Sequence, residues 1–176
     1  MTVPVETMQY IETIREINML RYLSGEELEQ FLGSAEIVDY KKGEKIINLG
    51  DVSPYLYGVV RGSMQVSVRE PNDQEIFICT IEPGEVFGES AIFMTEKRTA
   101  DVTSCQDSVL LRVHRKDLMT FIRDNPQAGN KILMLIIFSL LNKLREANQE
   151  LAFEKQSVIE LDDIDSLVKD FMKDGD

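Results

Sequence analysis

Between Ala35 and His114 the chain is cut into short β-prone runs by turn residues, and this rhythm limits its fold more than any other feature. Runs at 36–40, 45–48, 55–60, 63–69, 75–81, 99–104 and 108–114 are separated by Lys42-Gly43, Gly50-Asp51, Arg61-Gly62, Pro71-Asn72-Asp73, Pro83-Gly84 and Gln106-Asp107. Short strands roughly 8–12 residues apart predict an all-β sandwich or barrel. Val66, Val68, Ile76, Ile78, Val109, Leu111 and Val113 supply the alternation that turns one face inward.

Helical patterns flank this block. Ile11, Ile14, Ile17 and Met19/Leu20 recur at helical spacing. Ser24 is an N-cap candidate, and Glu27 three residues on completes a capping box before Leu28, Phe31 and Leu32. After His114, the segment RKDLMTFIRDN places Leu118, Phe121 and Ile122 on one face. Asn125-Pro126 then ends that helix and opens another, with Asn125 as N-cap and Pro126 at the first helical position.

The next helix is expected to run to about Lys155. Leu133, Ile137, Leu140, Leu144, Ala147 and Leu151 form a heptad seam of about three repeats. Its first half, KILMLIIFSLL, is apolar nearly all round, so it must be covered on more than one side. A seam continuing past that block to Leu151 predicts a homodimer through residues 133–151. A separate amphipathic tail helix, Asp162 to Met172, follows with Ile164, Leu167, Val168 and Phe171 on its face. The expected organisation is therefore a helical segment 1–34, a β-roll 35–114, two helices of the same domain at 115–155, and an acidic tail helix at 156–176.

Composition excludes several functions. The formal net charge is −12, from 19 basic and 31 acidic residues. Binding a nucleic-acid backbone needs clustered Lys and Arg, so no DNA partner is expected, and neither is an anionic membrane. Gln149–Asp176 carries nine acidic residues against three lysines, a net of −6 and half of the imbalance. One histidine, His114, and two cysteines, Cys79 and Cys105, exclude most metal, triad and disulfide frameworks. No catalytic residue, no metal and no cofactor is expected, and His114 and both cysteines read as structural. The N-terminal residues lack the pattern of an export signal, and the longest apolar run is too short to span a bilayer, so a cytoplasmic location is expected.

The stretch Gly84–Val102, GEVFGESAIFMTEKRTADV, concentrates the chemistry. Gly88 permits positive φ or close backbone approach. Phe87-Gly88-Glu89-Ser90-Ala91 reads as a loop entering a short helical turn, whose first amides attract an anion. Glu89 suits a ligand that carries a hydroxyl beside its phosphate, as a ribose does. The Arg98 fork matches phosphate oxygens, and Thr99 adds a hydroxyl.

This segment resembles the phosphate-binding cassette of the cyclic-nucleotide-binding domain family, which includes protein kinase regulatory subunits, nucleotide-gated channels and the bacterial catabolite activator. The family pattern F-G-E-x-A followed by R-[ST]-A reads here FGESA and RTA. KKGEKIINLGD resembles the family's entry turn, and LYGVVRGSMQV its hairpin with a fixed glycine, here Gly62. The likeness runs from about Asn18 to Leu151. It implies a mainly β fold: a jelly-roll-like β-roll of about eight strands, with N-terminal helices and a long C-terminal helix.

The resemblance also implies roles. Glu89 would accept the ribose 2′-hydroxyl, Arg98 would pair with the cyclic phosphate, and the amides of Ser90 and Ala91 would complete the cradle. Phe87 and Gly88 would shape it. Thr99 matches the residue that contacts guanine and phosphate in relatives preferring cyclic GMP, without excluding cyclic AMP. Asn148 would reach a base edge from the long helix. Two residues depart from the commonest pattern: Ser90 stands for a usual Leu or Met, and Lys97 for a usual Pro. Lys97 adds positive potential beside an anion. The implied function is a stand-alone cyclic AMP or cyclic GMP sensor that signals to a protein partner through its C-terminal helices. The alternatives are a ligand-free interaction module and a regulatory subunit of a separate enzyme.

Overall fold

The computed structural model describes residues 8–69, 74–94 and 97–173, with side chains for all of these except Ala91 and 153–173. The Pro71-Asn72-Asp73 turn and the apolar face expected at 162–172 therefore lie outside the described residues. Two compact units are present, Met1–Ile136 and Ile137–Asp176.

The first unit opens with α1 (Ile11–Arg15) and α2 (Gly25–Leu32). Helix α2 starts where the sequence signals it. Ser24 Oγ accepts from the Glu27 amide at 3.2 Å, and Glu27 Oε2 accepts from the Ser24 amide at 2.7 Å. Eight strands follow: β1 (Ala35–Tyr40), β2 (Lys45–Ile47), β3 (Tyr55–Arg61), β4 (Met64–Arg69), β5 (Glu75–Ile81), β6 (Val86–Phe87), β7 (Asp101–Ser104) and β8 (Ser108–His114). The turn α3 (Ser90–Phe93) lies between β6 and β7, and α4 (Arg115–Asp124) and α5 (Pro126–Lys173) follow β8. Seven strands fall on predicted runs. The two-residue β6 does not, because it is too short to carry a period.

The strands form two antiparallel four-stranded sheets, β1-β8-β3-β6 and β2-β7-β4-β5. Ile47, Met64, Ile81 and Val102 of the second sheet pack with Tyr57, Val59, Phe87 and Leu110 of the first, filling the roll. The first sheet's other face (Leu56, Val60, Val86, Val109, Leu111 and Val113) packs on Ile14, Leu28, Phe31, Leu118, Ile132 and Ile136 from the helices and on Ile17 from the turn after α1. This sheet is thus covered on both faces. Val109, Leu111 and Val113 point to the helices, and Leu110 points into the roll, the reverse of a simple inward alternation.

The alternation expected of β5 is also corrected. Ile76, Phe77 and Ile78 are exposed, and so is Cys79, which is therefore no core residue. The reason is position: β5 is an edge strand held only by β4. Neither Cys79 nor Cys105 forms a disulfide.

His114 has a structural task. Its Nδ1 accepts from the Lys116 amide at 3.1 Å, capping α4. Asn125 behaves differently from expectation. Its carbonyl accepts the Gly129 amide at 2.8 Å, but its side-chain amide donates back to Phe121 O at 3.3 Å. It therefore closes α4 more than it caps α5. Helix α5 does not stop near Lys155 but continues to Lys173, merging the expected long helix and tail helix. Residues 130–173 contain neither Gly nor Pro, so nothing in the backbone chemistry breaks it. Lys131 on α5 donates to both Glu27 carboxylate oxygens at 2.9 and 2.7 Å, and this bond and the Ser24 amide hold the Glu27 carboxyl below its ordinary range.

Gly62 has φ +90°, and a Cβ there would overlap Ser108 Oγ, itself bonded to Ser104 Oγ at 2.8 Å. Gly62→Ala should therefore cost about 3 kcal/mol through backbone strain and overpacking. A urea midpoint shifted down with an unchanged slope is the expected result; an unshifted midpoint would contradict it.

Candidate functional site

Strand β6 delivers Gly88 to the edge of the roll. Phe87 is buried and stacks on Tyr57, its register partner in β3, with ring centroids 4.9 Å apart. Gly88 follows with φ +82°, and a Cβ on it would lie 2.9 Å from Tyr55 O and 3.0 Å from Arg98 Nη1. The glycine is required twice over, by conformation and by space. Glu89 then takes helical φ and ψ and starts α3, with the Ile92 amide donating to Glu89 O at 3.0 Å and the Met94 amide to Ser90 O at 2.9 Å. The Ser90 and Ala91 amides stand at the open start of this turn.

Arg98 approaches from the other side and is only 5% exposed. Its backbone is clamped by the loop after β2: the Gly50 amide donates to Arg98 O, and the Arg98 amide donates to Asp51 O, both at 2.8 Å. Its guanidinium is aimed by two carbonyls. Nη2 donates to Tyr55 O at 2.7 Å and Nη1 to Gly88 O at 3.2 Å. Nε is buried and has no hydrogen-bond partner among the described residues. Burial pushes the guanidinium below its ordinary pKa, while Tyr57 and the Glu89 carboxylate oppose that shift. Glu89 is itself buried, at 7% exposure.

The clamping loop is tied down in turn. Asp101, the third residue after Arg98, accepts from the Leu49 amide and from Lys45 Nζ, both at 2.8 Å, with Arg69 Nε 3.7 Å away. Burial alone would raise the Asp101 carboxyl, but the Lys45 and Leu49 hydrogen bonds and the Lys45 and Arg69 charges outweigh it and hold it low.

The structure thus brings Phe87, Gly88, Glu89, Ser90 and Arg98 into one constellation. Ala91 belongs to the same turn. Lys97 and Thr99 are exposed beside Arg98. Asn148 is an exposed position on α5 in the second unit. Sequence reading missed Tyr55, Gly50-Asp51 and Asp101. Gly50-Asp51 was visible only as a turn. An aspartate inside a strand run beside Arg98 was the one available hint of a latch.

The sequence model of the cyclic nucleotide-binding domain matches residues 37–125, about half of the chain. The chain belongs to the cyclic nucleotide-binding domain family. The Cyclic AMP receptor protein of Thermus thermophilus is 30% identical over 73% of this chain and 58% of its own length. Human cGMP-dependent protein kinase 2 is 28% identical over 57% of this chain and 13% of the kinase. The crystal structure of a cyclic nucleotide-binding domain from Methylobacillus flagellatus shares the fold, with a TM-score of 0.74, 20% identity, and coverage of 81% of this chain and 82% of that one. The chain thus spans little more than half the length of the first of these relatives and a small part of the second. Among the described residues, no helix is long and apolar enough to cross a membrane.

The Asp101 latch has a pH signature. Its folded pKa lies below the ordinary value of 3.8, so its stabilisation is complete above that value and is lost as pH falls through the folded pKa. Asp101→Asn should remove that part of the acid dependence. Urea midpoints of both proteins from pH 6 to pH 2 should converge toward the acid end; a constant gap would contradict the latch.

Proposed function

We propose that this chain is a cyclic-nucleotide-responsive regulatory protein that binds cyclic AMP or cyclic GMP at Arg98 and Glu89. The observation that carries this reading is the Arg98 guanidinium: buried, aimed by the Tyr55 and Gly88 carbonyls, and with an Nε–H left without a partner among the described residues. A buried unsatisfied donor costs about 1–3 kcal/mol, and an anion reaching it recovers that cost as a charge-assisted hydrogen bond. The cyclic phosphate is the anion in this reading, with the Ser90 and Ala91 amides as further donors. Glu89, an acceptor beside it, takes the ribose 2′-hydroxyl. Exposed Thr99 contacts the phosphate and a guanine edge, Lys97 adds local positive potential, and Asn148 offers a base contact from α5.

Binding is read as a population shift between two arrangements of the cassette turn and the helices, set by the ligand's differential affinity for them. The role is regulatory and not catalytic, in the cytoplasm, with a protein partner downstream. Neither DNA nor a membrane is a partner in this reading. The protein is a homodimer, paired through the 133–151 seam. Ile137, Leu140, Leu144 and Leu151 are exposed along that seam, as an interface awaiting a second copy requires. Leu144→Lys should convert a dimer to a monomer in sedimentation equilibrium; an unchanged mass at all concentrations would contradict the pairing.

Calorimetric titration with cyclic AMP and cyclic GMP tests the binding reading. Wild type should bind at least one of the two. Arg98→Ala should weaken binding about 100-fold, and Glu89→Gln about tenfold, with the Glu89 effect lost for a 2′-deoxy ligand. Absence of heat with both nucleotides on the wild type would overturn the proposal.

A further inference from the structure

The guanidinium of Arg98 makes its shortest hydrogen bond, 2.7 Å, to the backbone carbonyl of Tyr55. A carbonyl is available on any residue, so what matters is what fixes this one. Tyr55 is the first residue of β3, where a strand end would ordinarily fray. Its ring is held from two sides. His114 meets it edge-on at 5.2 Å, and the Arg112 guanidinium carbon lies 4.8 Å from its centroid. Arg112 is itself fixed by Glu36, to whose Oε2 it donates from Nη2 at 2.8 Å and from Nε at 3.1 Å. The neighbouring carbonyl, Pro54 O, accepts the Arg115 amide at 2.7 Å, so the start of β3 is also sewn to the start of α4.

We propose that Tyr55 is a positioning residue for the phosphate-binding arginine: its ring, clamped by Arg112 and His114, sets the carbonyl that aims the Arg98 guanidinium. The assignment rests on the reading of Arg98 as the phosphate partner. It goes beyond that reading by making strand β8 and the α4 cap part of the anion site. A cation over an aromatic face and a T-shaped ring pair are each worth a modest amount, and together they oppose fraying of the strand end. The guanidinium is planar and directional, so a displaced carbonyl rotates its donors away from an anion. A role limited to packing would lower stability without changing how the fork distinguishes the two exocyclic oxygens of a phosphate.

The test uses Tyr55→Leu, which removes the ring, and Tyr55→Phe, which keeps it. Both are titrated with the two phosphorothioate diastereomers of cyclic AMP and of cyclic GMP, in which sulfur replaces one or the other exocyclic oxygen. Tyr55→Leu should weaken binding of the preferred diastereomer about tenfold and compress the ratio between the two at least threefold, whereas Tyr55→Phe keeps both within about twofold. Equal weakening of both diastereomers by Tyr55→Leu, with the ratio intact, overturns the assignment. The ligand-free protein gives a second readout, solvent exchange of the Arg98 Nε proton by NMR. It should accelerate about tenfold in Tyr55→Leu and stay slow in Tyr55→Phe; an unchanged rate also overturns the assignment. If the wild type binds no diastereomer of either cyclic AMP or cyclic GMP, the reading of Arg98 fails, and the exchange arm alone decides Tyr55. If Tyr55→Leu does not fold, Arg112→Leu takes its place with the same expectations, since it removes the cation from the ring and leaves Tyr55 intact.

Discussion

A buried arginine organises this protein. A cation removed from water is tolerated only when its donors are met and its charge is balanced. Arg98 meets that condition in part: Nη1 and Nη2 donate to main-chain carbonyls, while Nε has no partner among the described residues. Main-chain atoms from three segments hold it: the loop after β2, the first residue of β3, and the glycine after β6. Backbone contacts depend on where strands begin and end, so the geometry of the site follows from the registers of the sheets. The constraint also runs in reverse. Gly88 has to be glycine because Tyr55 O and the Arg98 fork occupy the space a Cβ would take.

The two-sided first sheet gives this arrangement its base. One face of β3 and β8 fills the roll and the other packs on the helices, so both strands are almost continuously buried. Such a strand cannot slip register without moving both cores. The second sheet is different. It carries the Asp101 latch on β7 and ends in the exposed edge strand β5. The site thus sits where a rigid sheet meets a more exposed one, tied across by the loop from Leu49 to Asp51. The Asn18 amide, bonded to Gly84 O at 2.8 Å, links the N-terminal helical segment to the start of the cassette.

Much of this was legible in the residues. Turn punctuation located seven of the eight strands, and the capping box placed α2 to the residue. The order Phe87-Gly88-Glu89 and then Arg98 marked the constellation before any coordinates. Other features had no local signature. Strand β6 is two residues long and exists only through its pairing with Tyr57 and Gly58. The exposure of Ile76 and Ile78 follows from β5 having one neighbour, which composition does not reveal. The merging of the long helix with the tail follows from the absence of a breaker, outweighing the Asp162-Asp163 start signal.

By itself the sequence determined the class of fold, the flanking helices and the grouping of Phe87, Gly88 and Glu89 with Arg98, because hydrophobic period, turn chemistry and glycine placement are local properties. Only the tertiary structure decided which carbonyls aim Arg98, which strand lies at an edge, and that Asp101 ties the clamping loop in place. Those are pairings between residues 10, 43 and 52 positions apart, fixed by sheet register and burial, and no local pattern encodes them.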